Sequence, residues 1–174
     1  MYPMDYEEFR WALGDTATIP LLRSAFEKKM PLGDATHRKL MRDFRLYMLV
    51  GGMPQAVATY IKTNNFTAVD LVKRDIIALY EEDFGKIDDS GRAKAMYDAI
   101  PAQLNKNTMR YQVSKAIPEE RAERVINVIK DMEDSMTTNV AFHSDDPNVG
   151  LALTKNMEYF KMYTSDTGLF VTLA

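Results

Sequence analysis

The chain has 174 residues, 46% hydrophobic and 27% charged, with a formal charge of −3 and no cysteine. That composition is globular, excludes a disulfide framework and thiolate chemistry, and gives no electrostatic reason to expect nucleic acid as the main partner. His37 and His143 are the only histidines, so a zinc site of the His/Cys type is not expected. The absence of cysteine fits a cytoplasmic location.

The N-terminal MYPMDYEEF has neither the basic nor the apolar region of a signal peptide. The longest uncharged run, Leu46 to Ile61, is too short to span a bilayer and is interrupted by Gly-Gly and Pro. The chain therefore reads as soluble.

Asp5 and Glu8 form a D-x-x-E capping signal ahead of Phe9, Ala12 and Leu13, and Gly14 ends that short helix. Pro20 is expected to start a second helix, broken by Pro31 and Gly33. A third is predicted from about Thr36 to Val50, with Leu40, Met41, Phe44, Tyr47 and Met48 at helical spacing. A fourth follows Pro54. Thr67 and Asp70 cap a fifth, which carries Val69, Val72, Ile76, Leu79 and Tyr80 and ends near Gly85. The first half thus reads as a helical bundle.

A polar stretch, Lys86 to Gly91, marks a boundary, giving domains 1–87 and 88–174. Ser90 is expected to cap a helix running to about Leu104. Arg110 to Ser114 is β-leaning, and Pro118 should open a strong helix to about Asp134. Strands are predicted at Asn139–His143, Leu151–Thr154 and Tyr159–Tyr163, with turn chemistry at Asp145 to Gly150. Gly168 to Leu173 reads as a last helix or strand. This order predicts a mainly α chain: a helical bundle followed by a winged-helix domain with a small β-wing.

The string YMLVGGMPQAVATYI, Tyr47 to Ile61, carries the most information. Gly51 and Gly52 can stop one helix at positive φ, and Pro54 is pre-organised to open the next. One reading is a helix–turn–helix corner. The other is a low-bulk backbone surface, with an apolar proline face, that a flat ligand such as a purine can approach closely.

The chain has no G-x-x-x-x-G-K-[ST], G-x-S-x-G or H-E-x-x-H. The carboxylate clusters Glu81–Glu82–Asp83, Asp88–Asp89 and Asp145–Asp146 sit where solvation explains them. A winged helix raises the possibility of DNA binding. The candidate recognition helix, however, sets Arg121, Arg124 and Lys130 against six acids: Glu119, Glu120, Glu123, Asp131, Glu133 and Asp134. Such a helix repels phosphates.

Five strings together resemble a prokaryotic AAA-type ATPase family. They are YPMDYEEF (Tyr2 to Phe9), YMLVGGMPQAV (Tyr47 to Val57), IIALYEEDFGK (Ile76 to Lys86), IPAQLNKNTMRYQVSKA (Ile100 to Ala116) and FKMYTSDTGLF (Phe160 to Phe170). Members of that family begin with a P-loop core and end in a domain resembling restriction-endonuclease folds. The C-terminal half is a domain of unknown function. The resemblance implies that this chain is the middle portion: a helical lid, then a winged helix. One string departs from the family pattern, DMEDSMTTNV (Asp131 to Val140), where a more apolar, glycine-containing stretch is usual.

The Gly-Gly-Met-Pro corner also resembles the G-x-P motif of signal-transduction ATPases such as the NB-ARC proteins, whose proline packs on adenine. This resemblance implies that Gly52, Met53 and Pro54 form a lid over the base. It also implies that Asp166, with Gly168 nearby, lies where such proteins contact the nucleotide phosphates.

Together these resemblances imply a nucleotide-lid and regulatory segment of an ATPase, completing a site for ATP with Mg whose P-loop lies elsewhere. The segment alone would be inactive. Its partners would be the ATPase core and the nuclease-like domain of the parent protein, with no membrane and no nucleic acid expected through this segment. The alternative is a winged-helix module that binds DNA or protein, and a third reading is a structural spacer.

Overall fold

The computed structural model describes residues 2–106, 108–146, 148 and 150–174. The chain divides into two compact units. The first comprises Met1–Asp75 and Asp166–Thr172, and the second Ile76–Ser165 and Leu173–Ala174.

In the first unit, α1 (Tyr6–Ala12) begins with the complete capping box of Asp5 and Glu8. The Glu8 amide donates to the Asp5 carboxylate at 2.8 Å, and the Asp5 amide donates to Glu8 at 2.9 Å. Next comes α2 (Thr18–Glu27), which buries no residue. It begins two residues before Pro20, because Asp15 accepts the amides of Ala17 and Thr18 and fixes the first turn.

The third helix, α3 (Asp34–Val50), stops at Gly51, where φ is +84°. Pro54 then occupies the first turn of α4 (Pro54–Thr63). Phe9 and Tyr47 pack with ring centroids 5.3 Å apart, and Tyr6 meets Phe44 edge-on at 5.3 Å. Arg10 is buried and bonds Asp43 at 2.8 Å and also Asp15. Hydrogen bonds from the Thr18 hydroxyl and then from Arg10 hold the Asp15 carboxyl far below its usual range.

The long helix α5 (Phe66–Ile87) crosses from the first unit's residues into the second's. Its start is capped by Asn65, whose side-chain oxygen accepts the Thr67 amide at 2.9 Å, rather than by Thr67 itself. It also runs through Gly85. The compact units divide inside α5, at 75/76, and not at the polar stretch after residue 87, and the segment 166–172 returns to the first unit. A polar linker is a local composition signal, whereas this division follows packing.

The second unit continues with α6 (Arg92–Asp98) and α7 (Ile100–Asn105). The single helix expected over this stretch is interrupted at Ala99, two residues before Pro101, which has no amide to donate. The N-cap position of α6 is Gly91, which has no side-chain cap bond, and not Ser90. The Asp88 carboxylate accepts the Arg92 amide at 2.7 Å, while the Ser90 hydroxyl donates to Asp88 itself.

The β-leaning stretch at 110–114 instead leads into one helical turn, α8 (Val113–Ala116). Pro118 does not open the following helix. It lies in a turn with Glu119 at φ +66°, and α9 (Ala122–Asp134) starts after it. Then β1 (Thr138–Ser144) pairs antiparallel with β2 (Lys155–Thr164), with a bulge at Phe142/His143. Leu151–Thr154 is turn, not strand. The turn expected at 145–150 includes Pro147 and Val149, which lie outside the described residues.

The second unit's core is Phe84, Met96, Tyr97, Ile100, Val125, Ile129, Met132, Phe160 and Met162. The buried α9 positions Val125, Val128, Ile129 and Met132 follow the helical repeat. The last helix, α10 (Thr167–Leu173), buries Gly168 and Leu169. The architecture is thus mainly helical, with one small two-stranded antiparallel sheet. No helix among the described residues is long and apolar enough to cross a membrane.

Candidate functional site: the Gly-Gly-Met-Pro corner

The corner between α3 and α4 is assembled from three distant stretches of the first unit. Gly51 and Gly52 supply the turn. The amide of Met4 donates to the Gly52 carbonyl at 2.7 Å, and the Tyr47 hydroxyl donates to the Met4 carbonyl at 2.9 Å. From the other side, the Asp166 carboxylate accepts the Gly52 amide at 2.6 Å and the Leu169 amide at 2.9 Å. Asp166 thereby caps α10 and fixes the corner with the same side chain.

The two glycines are required for space. A Cβ on Gly52 would lie 2.1 Å from the Met4 carbonyl oxygen. A Cβ on Gly51 would lie 2.3 Å from Asp166 Oδ1 and 2.9 Å from the Gly168 Cα. Gly168 is equally constrained, since its Cβ would meet the Val50 carbonyl at 2.5 Å. The low bulk read from the sequence is therefore used by the chain's own backbone. Close approach by a ligand to Gly51 or Gly52 is not what their missing side chains serve.

Lys73, on α5, completes the arrangement. It is buried, and its Nζ donates to the Leu49 carbonyl at 3.0 Å and the Gly168 carbonyl at 3.2 Å. The ammonium thus satisfies a carbonyl at the C-terminal end of α3 and one in α10. Burial pulls the Lys73 pKa down, opposed by the charges of Asp70 and Asp166. Burial also pushes the Asp166 carboxyl up, opposed by the amides of Gly52, Leu169 and Gly168. Tyr47 is raised by burial and then by the Asp166 charge.

Of the residues expected to bind a nucleotide, Gly52 and Asp166 are brought together, and both are buried. Met53 is 5% exposed and points its bulk into the core, whereas Pro54 is partly exposed. Pro54 opens α4, whose N-terminus has no side-chain cap. The corner therefore presents one partly exposed apolar ring, on a first turn whose leading residue has no amide and whose third, Ala56, is fully buried. Sequence reasoning placed Tyr47 only among the helically spaced apolar positions and gave Met4 and Lys73 no role. The one available signal was the pairing of two small-residue strings, GGMP and DTGL, since two glycines often mark backbones that approach each other.

The second unit holds a separate open groove of about 700 Å³, where Arg110, Lys115 and Arg121 face four glutamates. Its near-balanced charge selects neither anion nor cation. Among the described residues, no group of three or more His, Asp or Glu side chains is placed to hold a metal ion.

A family model described as Domain of unknown function (DUF8612) matches residues 41–174, a span that includes the corner, Lys73 and Asp166. No curated protein and no solved structure matches the chain.

Proposed function

The chain belongs to the DUF8612 family, and we propose that its first unit is the nucleotide lid of an ATPase whose phosphate-binding loop is supplied by a separate core. The observation that carries this reading is the state of the α4 N-terminus. It is uncapped, opened by a partly exposed proline, and held on a turn that three chain segments pin. A partly exposed apolar ring on a fixed turn suits stacking by a flat base, while Pro54 has no amide and Ala56 is fully buried, so the phosphates are left to the separate core. Rigidity matters because a pre-organised surface loses less entropy on binding.

In this reading Pro54 touches the base, and Gly52, Met53 and Asp166 hold Pro54 in place. The resemblance to AAA-type ATPases supplies the nucleotide, ATP with Mg, and the core as partner. The second unit has the order of a winged helix: α6 and α7, the short α8, α9, then the β1–β2 hairpin. We read it as a packing and regulatory module. The solvent-facing charges of α9 support that choice over duplex DNA binding, since Glu123, Asp131, Glu133 and Asp134 outnumber Arg124 and Lys130.

The test is nucleotide titration of the intact ATPase carrying Pro54→Ala. Weaker nucleotide binding with an unchanged melting temperature supports the lid. Unchanged affinity refutes it.

A further inference from the structure

The outward face of the β1–β2 hairpin has a composition that the nucleotide reading does not use. Antiparallel pairing sets Asn139 opposite Tyr163 and Ala141 opposite Lys161 on one face. Their neighbours Phe160 and Met162 point the other way and are buried. Tyr159 follows on the exposed side of β2, at 43% exposure, and Tyr163 is 39% exposed. The Arg110 guanidinium stacks over the Tyr159 ring, 4.6 Å from its centroid. The His143 ring, on the paired strand β1, lies 6.3 Å from Tyr159.

This strip of Arg110, Tyr159, Lys161 and Tyr163 contains no carboxylate. Arg110 and Lys161 form no ion pair among the described residues. The acids nearby are Glu158, next in sequence to Tyr159, Asp145, 3.5 Å from His143, and Glu119, Glu120 and Glu123, which line the same open groove as Arg110.

We propose that this face binds single-stranded nucleic acid, with bases stacking on Tyr159 and Tyr163 and phosphates meeting Lys161 and Arg110. The two tyrosines are four strand positions apart, about 13 Å, so each takes a separate base. Exposed aromatic rings interleaved with cations are the chemistry that tracks an unpaired strand, because every base has a face to stack and every nucleotide a charge. A duplex hides its base faces and gains only the two charges. Arg110 serves twice, as a phosphate partner and as the group that holds the Tyr159 ring in position. Of the acids of α9, Glu123 lines the groove that Arg110 shares.

The experiment is fluorescence polarisation of labelled ten-nucleotide oligo(U) and oligo(dT) at low salt with the whole chain, and a duplex of mixed sequence as competitor. Binding of either strand, with weaker competition by duplex, is expected, and the preferred strand identifies RNA or DNA as the source. Tyr159→Ala and Tyr163→Ala should each weaken binding at least about fivefold, the low end of base–aromatic stacking. Tyr163→Phe should bind like wild type. Lys161→Glu, at a partly exposed position, should weaken binding and flatten its salt dependence. No oligonucleotide binding, or binding that these substitutions leave unchanged, overturns the proposal.

Discussion

The Asp166 carboxylate accepts the Gly52 amide at 2.6 Å across 114 positions of sequence. Through that bond the segment that follows the second unit is tied to the turn between α3 and α4. The same carboxylate caps α10 through the Leu169 amide, so one side chain orders two backbone elements at once.

Removing it should be costly. Asp166→Ala leaves the buried amides of Gly52 and Leu169 without their acceptor, and a loss of about 3 kcal/mol is expected, from bonds to a charged group worth roughly 1.5–3 kcal/mol each. Asp166→Asn keeps one carbonyl acceptor and should lose about half as much. Urea denaturation of both variants measures the difference, and equal losses would show that the two amides do not depend on separate oxygens.

A pair of alanine substitutions separates backbone strain from crowding. Gly14 has φ +81° and nothing within 4 Å of a built Cβ, so Gly14→Ala should cost only the left-handed penalty, about 1–2 kcal/mol. Gly51 has a similar φ of +84° but meets Asp166 and Gly168. Gly51→Ala should cost about 2 kcal/mol more, in the range of overpacking. Thermal melts of the two variants that shift equally would contradict the crowding seen at the corner.

Much of the helical framework was legible because its signals are local. The D-x-x-E box of α1, the Gly51 stop of α3 and the Pro54 start of α4 are each decided within a few residues. Pro118 misled for the same reason. A proline is compatible with a first helical turn, but equally with the turn that Glu119 completes at positive φ. Leu151–Thr154 has strand-like composition and yet turns, because a residue's preference for a pleated surface is realised only where a neighbouring strand exists. The clasp itself was not legible. Lys73 reads as an ordinary polar position of an amphipathic helix, and no local pattern states that it reaches carbonyls of two other helices. The family resemblance pointed to Asp166, but to a phosphate contact rather than to the amides it holds.

Asp88 makes the second unit acid-sensitive. It accepts from Arg92 and Ser90 and is buried, and the Arg92 side chain is the main cause of a carboxyl held far below its ordinary value of 3.8. A depressed folded-state value contributes stability that is complete above pH 3.8 and is lost as pH falls through the folded-state value. Urea midpoints should therefore fall steadily below about pH 4, following this linkage. In Asp88→Asn that fall should be shallower and the stability at pH 7 lower. An identical pH profile in wild type and variant would remove Asp88 from the account.

Duplex DNA should bind α9 weakly. Its exposed face carries more acids than bases, so few counterions are released and the slope of log affinity against log salt should be shallow. Reversing Glu123 and Asp131 to lysine should strengthen duplex binding. Tight duplex binding by the wild-type chain with a steep salt slope would instead favour a recognition-helix function.

The most direct test of the proposed nucleotide lid is an ATP-binding titration of the chain together with its proposed core in three forms: wild type, Pro54→Ala, and Pro118→Ala as a control at an exposed proline outside the corner. Loss of the Pro54 ring should weaken ATP binding by about fivefold or more, on the scale of base-stacking contacts of ~1 kcal/mol, while Pro118→Ala binds as wild type does. Equal affinity for ATP in all three forms would show that the corner is a helix junction and nothing more.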